Sequence, residues 1–499
     1  MSDLHQSDTI AAIATASSEA GIGIIRISGP AAGNIIFRLF RSSSQIPNGI
    51  GKEASFQGLN NGTEGVSPCD SLVWKANTIH YGYIVDPDSL DVLDEVLVSW
   101  MRAPHSYTTE DTAEINTHGG RYVMQKVLSA VLRAGARAAE PGEFTKRAFL
   151  NGRVDLSEAE AVMDLIHSQT EFARKCAISQ LNGAISSSIR SLRSEILYEL
   201  AFIESALDDP EHFSLDGYSS SLDEKCKHWL DILHRWILSS ENGQILREGI
   251  CTVIVGRPNV GKSSLLNALS GRDRAIVTDI PGTTRDTLEE TIRLGDLCLR
   301  LIDTAGIRDA RDEVERVGVE RSLRALDSAQ LIFFLLDSSQ KLSQEDQRIA
   351  SLTEDAICSG AKCVILLNKS DLPLKTDASM VSSLYSNRLS GEMFPEIVSL
   401  SLKNGEGLPL LENCVLRMFL KGDIAETSEM MVSGERQISE LREAQQAISL
   451  VRDGIRTGVS EEFYTIDLQN AYASLGRILG EALGDDLIDE IFSRFCMGK

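Results

Sequence analysis

Apolar and polar positions follow three successive rhythms along the chain. In the first ~120 residues, "GIGIIRISG" and "DEVLVSWMRAP" are β-branched, apolar runs closed by Gly or Pro, which predicts strands of a mixed α and β domain. Between them "RSSSQIPNGIGKEASFQGLNNGTEGVSP" is rich in Ser, Asn and Gly and reads as a long loop. From "DLSEAEAVMDLIHSQTEFARK" onward apolar residues recur at three and four spacing, the period of long amphipathic helices, with Ser157 expected to cap and Glu160 three residues later. Residues from about 249 to 415 change to short apolar runs alternating with helical segments: "CTVIVG", "CLRLIDTAG", "LIFFLLD", "KCVILLNKSD" and "EIVSLSL". That alternation predicts a doubly wound α/β sheet. After about 430, "ERQISELREAQQAISLVRDGI" and "DLQNAYASLGRILGEAL" return to the helical period.

The economical organisation is an α/β module inserted into a helical domain. The expected segments are 1–125, an N-terminal α+β domain; 126–247, the first helical half; 248–416, the inserted module; and 417–499, the second helical half. The expected class is therefore multidomain α/β with a discontinuous all-α domain. A length of 499 residues with 42% apolar content supplies material for several cores. The nine cysteines are scattered without a C-x-x-C pair, which argues against a disulfide framework or a structural zinc site and fits a reducing, cytoplasmic setting. No run approaches the ~18 apolar residues of a membrane span, and no secretory or transit segment opens the chain. A net charge of -23 argues against a nonspecific nucleic-acid binder that works by a broad basic face, so any contact with RNA must be local or shared with a partner.

Candidate chemistry concentrates in the inserted module. "GRPNVGKSS" lies between the strand "CTVIVG" and the helical "SLLNALSG", the context a phosphate-binding loop requires. Gly256 and Gly261 let backbone N–H groups curl around phosphates, Lys262 reaches the outer ones, and Ser263 offers a hydroxyl to Mg²⁺. In "LRLIDTAG", Asp303 is suited to hold Mg²⁺ through water and Gly306 to present its N–H to the γ-phosphate. In "NKSD", Asn368 and Asp371 suit the guanine edge, whose N–H groups a carboxylate accepts and adenine does not offer. Together these three motifs favour GTP over ATP. Thr284, in "TDIPGTTRD", is the candidate switch threonine that completes the Mg²⁺ shell, the alternative being a solvated Thr-rich loop. Ile307 stands where many GTPases carry a water-orienting Gln, so hydrolysis needs another device. From the residues alone, Asn259 is either a cation ligand or a loop-stabilising amide, and Glu315 is one of several acids in "RDARDEVERVG".

"MRAPHSYTTEDTAEINTHGG", "EPGEFTKRAFLNGRVDLSEAEAVMDLI", the GTPase motifs and the ending "IFSRFCMGK" together resemble the tRNA uridine-modification GTPase family MnmE, also called TrmE, over nearly the whole chain. The resemblance implies a cytoplasmic homodimer, paired through an N-terminal tetrahydrofolate-binding domain. It also implies a FAD-dependent MnmG-like partner, in a heterotetramer or larger assembly, that helps install an aminomethyl-type group on carbon 5 of the wobble uridine of certain tRNAs. GTP would then drive conformational change, and 5-formyl- or 5,10-methylene-tetrahydrofolate would carry the one-carbon unit.

Residue by residue, the resemblance implies a nucleotide site of Asn259, Val260, Gly261, Lys262, Ser263 and Ser264, then Thr278, Asp279, Ile280, Pro281, Gly282, Thr283 and Thr284. Asp303, Thr304, Ala305 and Gly306 follow, then Asn368, Lys369, Ser370 and Asp371, and finally Ser401, Leu402 and Lys403. Mg²⁺ would take Ser263 and Thr284; K⁺ would take Asn259, Thr278, Ile280 and Thr283; Glu315 would position the attacking water. Arg26, Glu114, Arg153 and Lys499 would contact the folate, and Cys496 would lie near the one-carbon chemistry. Without the resemblance, Arg26, Glu114 and Arg153 read as ordinary solvated charges. Four departures stand out: Met497 replaces a branched apolar residue, Leu402 replaces Ala in the S-A-[KR] segment, "LDDPEH" replaces an I-D-F-P-E-E type segment, and Thr109 replaces a Gly where positive φ would favour one. An Era/Der-type ribosome-assembly GTPase would share the nucleotide motifs but is expected to carry a basic RNA-binding domain.

Overall fold

The computed structural model describes residues 8–16, 19–42, 74–209, 211–212, 215, 217–270, 290–302, 325–385, 389, 394–419, 432 and 434–498. The chain divides into two compact units, Met1–Ala159 with Leu479–Lys499, and Glu160–Ile478.

The first unit is built on strands β1 (Ile10–Ile13), β2 (Ile22–Ser28), β3 (Phe40–Ser42), β4 (Thr78–Val85), β5 (Val92–Met101), β6 (Thr112–His118) and β7 (Arg137–Ala138). They form one sheet in the order β3-β4-β5-β6-β2-β1-β7, antiparallel except where β1 meets β7. Alternation sends Ile25, Ile27, Val98, Ala113 and Ile115 to one face, where they join a core with helices α1 (Ala32–Leu39) and α2 (Arg121–Arg133). Helix α2 buries Met124, Val127, Ala130 and Val131, the three-and-four spacing of a one-sided helix. Helix α3 (Glu143–Leu150) follows β7. The C-terminal helix (Asp485–Ser493) packs on it, with the Phe149 and Phe492 rings 5.9 Å apart. Burying a side chain the size of Phe492 contributes about 1.5–3 kcal/mol, so the chain's end is anchored rather than frayed.

The second unit holds most of α4 (Leu156–His167), then α5 (Glu171–Leu181), α6 (Ala184–Asp208) and α7 (Tyr218–Glu248). The expected cap of α4 is corrected by the structure. Asp155 accepts the Glu158 N–H at 3.0 Å, and Glu158 accepts the Asp155 N–H at 3.0 Å, while the Ser157 hydroxyl donates to Asp155 at 2.8 Å. A carboxylate two residues earlier closes the reciprocal box before Ser157 is reached. Glu160 instead accepts from Arg436 at 3.0 Å and from Gln437.

The inserted module contains β8 (Ile250–Val255), α8 (Lys262–Ser270), β9 (Glu290–Leu294), β10 (Leu297–Leu301), β11 (Leu331–Asp337), α9 (Gln344–Cys358), β12 (Lys362–Asn368), α10 (Ala378–Ser382), β13 (Glu396–Ser399) and α11 (Leu408–Phe419). Its sheet runs β13-β12-β11-β8-β10-β9, parallel except for the β9–β10 hairpin. Every residue of β8 and β11 is buried, as continuous apolar runs covered on both faces require. The chain then returns to helices α12 (Glu435–Thr457) and α13 (Glu461–Ile478). Helix α12 packs on α7 and α13, and α13 packs on α6, so residues from both sides of the insertion share one bundle. The strands expected in the module all form. Of the Ser/Asn/Gly-rich loop, Arg41 and Ser42 complete β3, and the rest lies outside the described residues.

Candidate functional site

Strand β8 delivers the phosphate loop, and α8 begins at its lysine. Gly261 adopts φ +114, and a Cβ there would lie 2.3 Å from the Asn368 amide, so only glycine fits. Lys262 Nζ donates to the carbonyls of Gly256 at 2.7 Å and Arg257 at 2.9 Å, holding the ammonium over the loop. Ser263, Ser264 and Asn259 are exposed at the rim, with Asn259 at φ +63. Val260 is buried beneath them.

The loop is braced from β12. Asn368 donates to the Val260 carbonyl at 2.7 Å and accepts the Leu402 N–H at 3.2 Å, so its amide ties two loops together. Asp371 is exposed, and one of its oxygens accepts the Ser401 hydroxyl at 2.8 Å. That orients the carboxylate beside Leu402 and Lys403. Ser370 donates its N–H to the Leu400 carbonyl at 3.2 Å. Lys369 Nζ bridges the Asn259 carbonyl at 3.1 Å and Asp337 at 2.7 Å. Burial pushes the Asp337 carboxyl up, but Lys369 and the Ser339 hydroxyl and N–H outweigh it and hold the group below its ordinary range. Thr278, Asp279, Ile280, Pro281, Gly282, Thr283 and Thr284 lie outside the described residues, as do Asp303, Thr304, Ala305, Gly306 and Glu315.

A second constellation forms in the first unit. Arg26 on β2 stands opposite Glu114 on β6, and Nε donates to Oε1 at 2.9 Å. Arg26 Nη1 donates to the Gly498 carbonyl at 3.0 Å. The Tyr107 ring has two guanidinium groups within cation–π reach, Arg26 at 5.4 Å and Arg153 at 4.8 Å from its centroid. Arg153 also donates to the Tyr107 carbonyl at 2.6 Å. Gly142 donates its N–H to the Cys496 carbonyl at 3.4 Å. Gly498 adopts φ +86, and a Cβ there would sit 2.5 Å from the Ile13 carbonyl oxygen. Arg26, Glu114, Arg153 and the Cys496 to Gly498 tail are thus brought together, and Lys499 lies outside the described residues.

Beneath this cluster Arg147, nearly fully buried, donates to Asp8 at 2.6 Å, Glu143 at 3.0 Å and Glu110 at 3.2 Å. Burial lowers the affinity of its guanidinium for a proton, and the surrounding carboxylates more than reverse this. Thr109 holds φ +61, so this position adopts the left-handed conformation that favours glycine, and does so without one. Tyr107, Arg147 and Asp337 were not singled out by the sequence. Tyr107 had only a weak signal, an aromatic inside the segment "PHSYTTED".

Two family profiles match the chain. One, described as the GTP-binding protein TrmE N-terminus, covers residues 9–153; the other, the MnmE helical domain, covers 156–496. The "tRNA modification GTPase MnmE" of Lachnoclostridium phytofermentans is 46% identical over 494 residues, 99% of this chain and 100% of that protein. The one of Geobacillus thermodenitrificans is 44% identical over 493 residues, 99% of each. Among solved structures, a variant of Aquifex aeolicus Era bound to GDP.AlF4- matches at 25% identity and a TM-score of 0.25, over 40% of this chain and 67% of that one.

Proposed function

The chain belongs to the MnmE family of tRNA modification GTPases, and from that premise we propose that it is a K⁺-activated GTPase modifying carbon 5 of the tRNA wobble uridine with a tetrahydrofolate one-carbon unit. It acts with a flavin-dependent, MnmG-like partner in the cytoplasm. The observation that carries the folate reading is the meeting of the C-terminal tail with Arg26, Glu114, Tyr107 and Arg153.

The donor set fits such a ligand. An aromatic face flanked by two guanidinium groups suits a flat ring bearing carboxylates, and Glu114 suits ring N–H groups. Arg26, Glu114, Arg153 and Lys499 would hold it, and the ligand supplies a one-carbon unit when bound. Cys496 is partly exposed beside this cluster and is the chain's candidate nucleophile there. In the GTPase module Lys262 and Ser263 would meet phosphates and Mg²⁺, and Asp371 the guanine N–H groups. Asn259 would ligate K⁺ with Thr278, Ile280 and Thr283, supplying positive charge where hydrolysis develops negative charge. Thr284 would complete the Mg²⁺ shell, and Glu315 would orient the water.

Support for a homodimer comes from the open face of the first sheet. Ile79, Ser99, Glu114 and Arg26 form one cross-strand row, and Tyr81, Leu97, Asn116 and Ile24 the next. Ile79, Tyr81 and Leu97 are 67%, 51% and 46% exposed, an apolar strip that a second copy would cover. No helix among the described residues is long and apolar enough to cross a membrane. The Era/Der-type alternative gains nothing, since the profile matches cover the regions flanking the GTPase module. Nucleoside analysis of wobble uridines in cells lacking the protein tests the reading. Unchanged modification would overturn it.

A further inference from the structure

We propose that Arg257 and Asp346 form a positioning pair that fixes the phosphate loop and thereby the nucleotide affinity of the module, an inference that rests on this loop binding GTP. Arg257 is the second residue of "GRPNVGKSS", yet its side chain is engaged away from the loop. Its Nε lies 2.8 Å from Asp346 Oδ1, a contact ion pair in which the N–H is not aimed along the line joining the two atoms. The Asp346 side chain is 0% exposed and that of Arg257 17%.

A carboxylate sealed from water needs a compensating charge, and removing the partner strands it. The two oxygens of Asp346 divide the work. Oδ2 accepts the Ser343 N–H at 2.8 Å and closes the capping box of α9; Oδ1 faces the loop. The start of α9 and the second residue of the phosphate loop are therefore locked to one buried group. The consequence reaches the phosphates through the backbone, because the Arg257 carbonyl accepts Lys262 Nζ at 2.9 Å. A shift of Arg257 moves the cradle on which Lys262 rests. The opposite side of the loop is held at Asn259 by Lys369 and at Val260 by Asn368, so loss of the Arg257 anchor frees one flank only. With its guanidinium held by Asp346, Arg257 is a positioning residue and not a phosphate ligand.

The test uses the full-length protein, binding of a fluorescent GDP and steady-state GTP hydrolysis. Arg257→Met and Asp346→Asn should each weaken GDP binding and raise KM about tenfold, with kcat at saturating GTP changed less than about twofold. Arg257→Lys, which keeps the charge, should retain most of the affinity. The double variant Arg257→Met with Asp346→Asn should bind no more weakly than the weaker single variant, since both remove one interaction. Wild-type affinity in Arg257→Met, or losses that multiply in the double variant, would overturn the proposal. Should Arg257→Met fail to fold, Asp346→Asn, which preserves shape at the helix start, decides alone: unchanged affinity refutes the pair. Failure of the wild-type protein itself to bind GDP would instead refute the nucleotide reading of the loop.

Discussion

Arg26 and Gly498, 472 positions apart in sequence, are joined by a 3.0 Å hydrogen bond from the guanidinium to the backbone carbonyl. The same guanidinium pairs with Glu114 across the sheet. Gly498 is thus tied into the first unit by a side chain that also lines the proposed one-carbon site.

Gly498→Ala should abolish or strongly reduce tRNA modification while leaving GTP turnover close to wild type. Its φ of +86 and the Ile13 carbonyl, 2.5 Å from a built Cβ, make any side chain there cost roughly 1–3 kcal/mol of local docking. Cys496→Ser should show the same split. Parallel measurement of modified uridine and phosphate release checks both; loss of the two activities together would point to a folding defect.

Asn368→Ala should loosen nucleotide binding. The side chain is 3% exposed, and its amide joins Val260 to Leu402. Leaving those backbone groups without their partner costs about 1–3 kcal/mol, which corresponds to roughly 5–150-fold weaker GDP binding if the whole cost falls on the bound state. Titration with fluorescent GDP reads this directly.

Leu97→Glu should shift the protein toward monomer, and because the residue is already exposed in the single chain, any fall in melting temperature should track protein concentration and loss of the partner. Sedimentation velocity at several concentrations distinguishes the states. An unchanged dimer would remove the open sheet face from the interface.

Acid should weaken the first unit through Glu143. Burial pushes its carboxyl up, but the Arg137 guanidinium, the Glu140 N–H and Arg147 outweigh it, leaving the folded value below the ordinary 4.5. A depressed value contributes stability that is fully present above 4.5 and is lost as pH falls through the folded value. Glu143→Gln should therefore melt lower at neutral pH yet lose less between about pH 5 and about pH 3 than wild type. Thermal melts across that range check the sign.

GTP turnover should rise several-fold when K⁺ replaces Na⁺ at constant ionic strength, with Asn259→Ala losing the difference. Asn259 is exposed at φ +63, and Lys369 grips its carbonyl, which leaves the amide at the rim of the loop. Equal rates in the two salts would remove Asn259 from this role.

What the sequence determined by itself was whatever depends on neighbours in the chain. Buried parallel strands such as "LIFFLLD" and "KCVILLN" are continuous apolar runs, and the phosphate loop needs glycines and a lysine at close spacing, so both were readable by inspection. The cap of α4 was misread by two positions because Asp155 and Ser157 are both competent, and only the folded geometry shows which one closes the box with Glu158. Tertiary structure alone decided that Tyr107 meets Arg26 and Arg153, that Asp346 is sealed against Arg257, and that Gly498 packs against Ile13. Those contacts join residues dozens to hundreds of positions apart. A polar side chain's sequence carries no mark of the charge or carbonyl that packing will bring to it, and its burial and electrostatics exist only once the chain has closed around it.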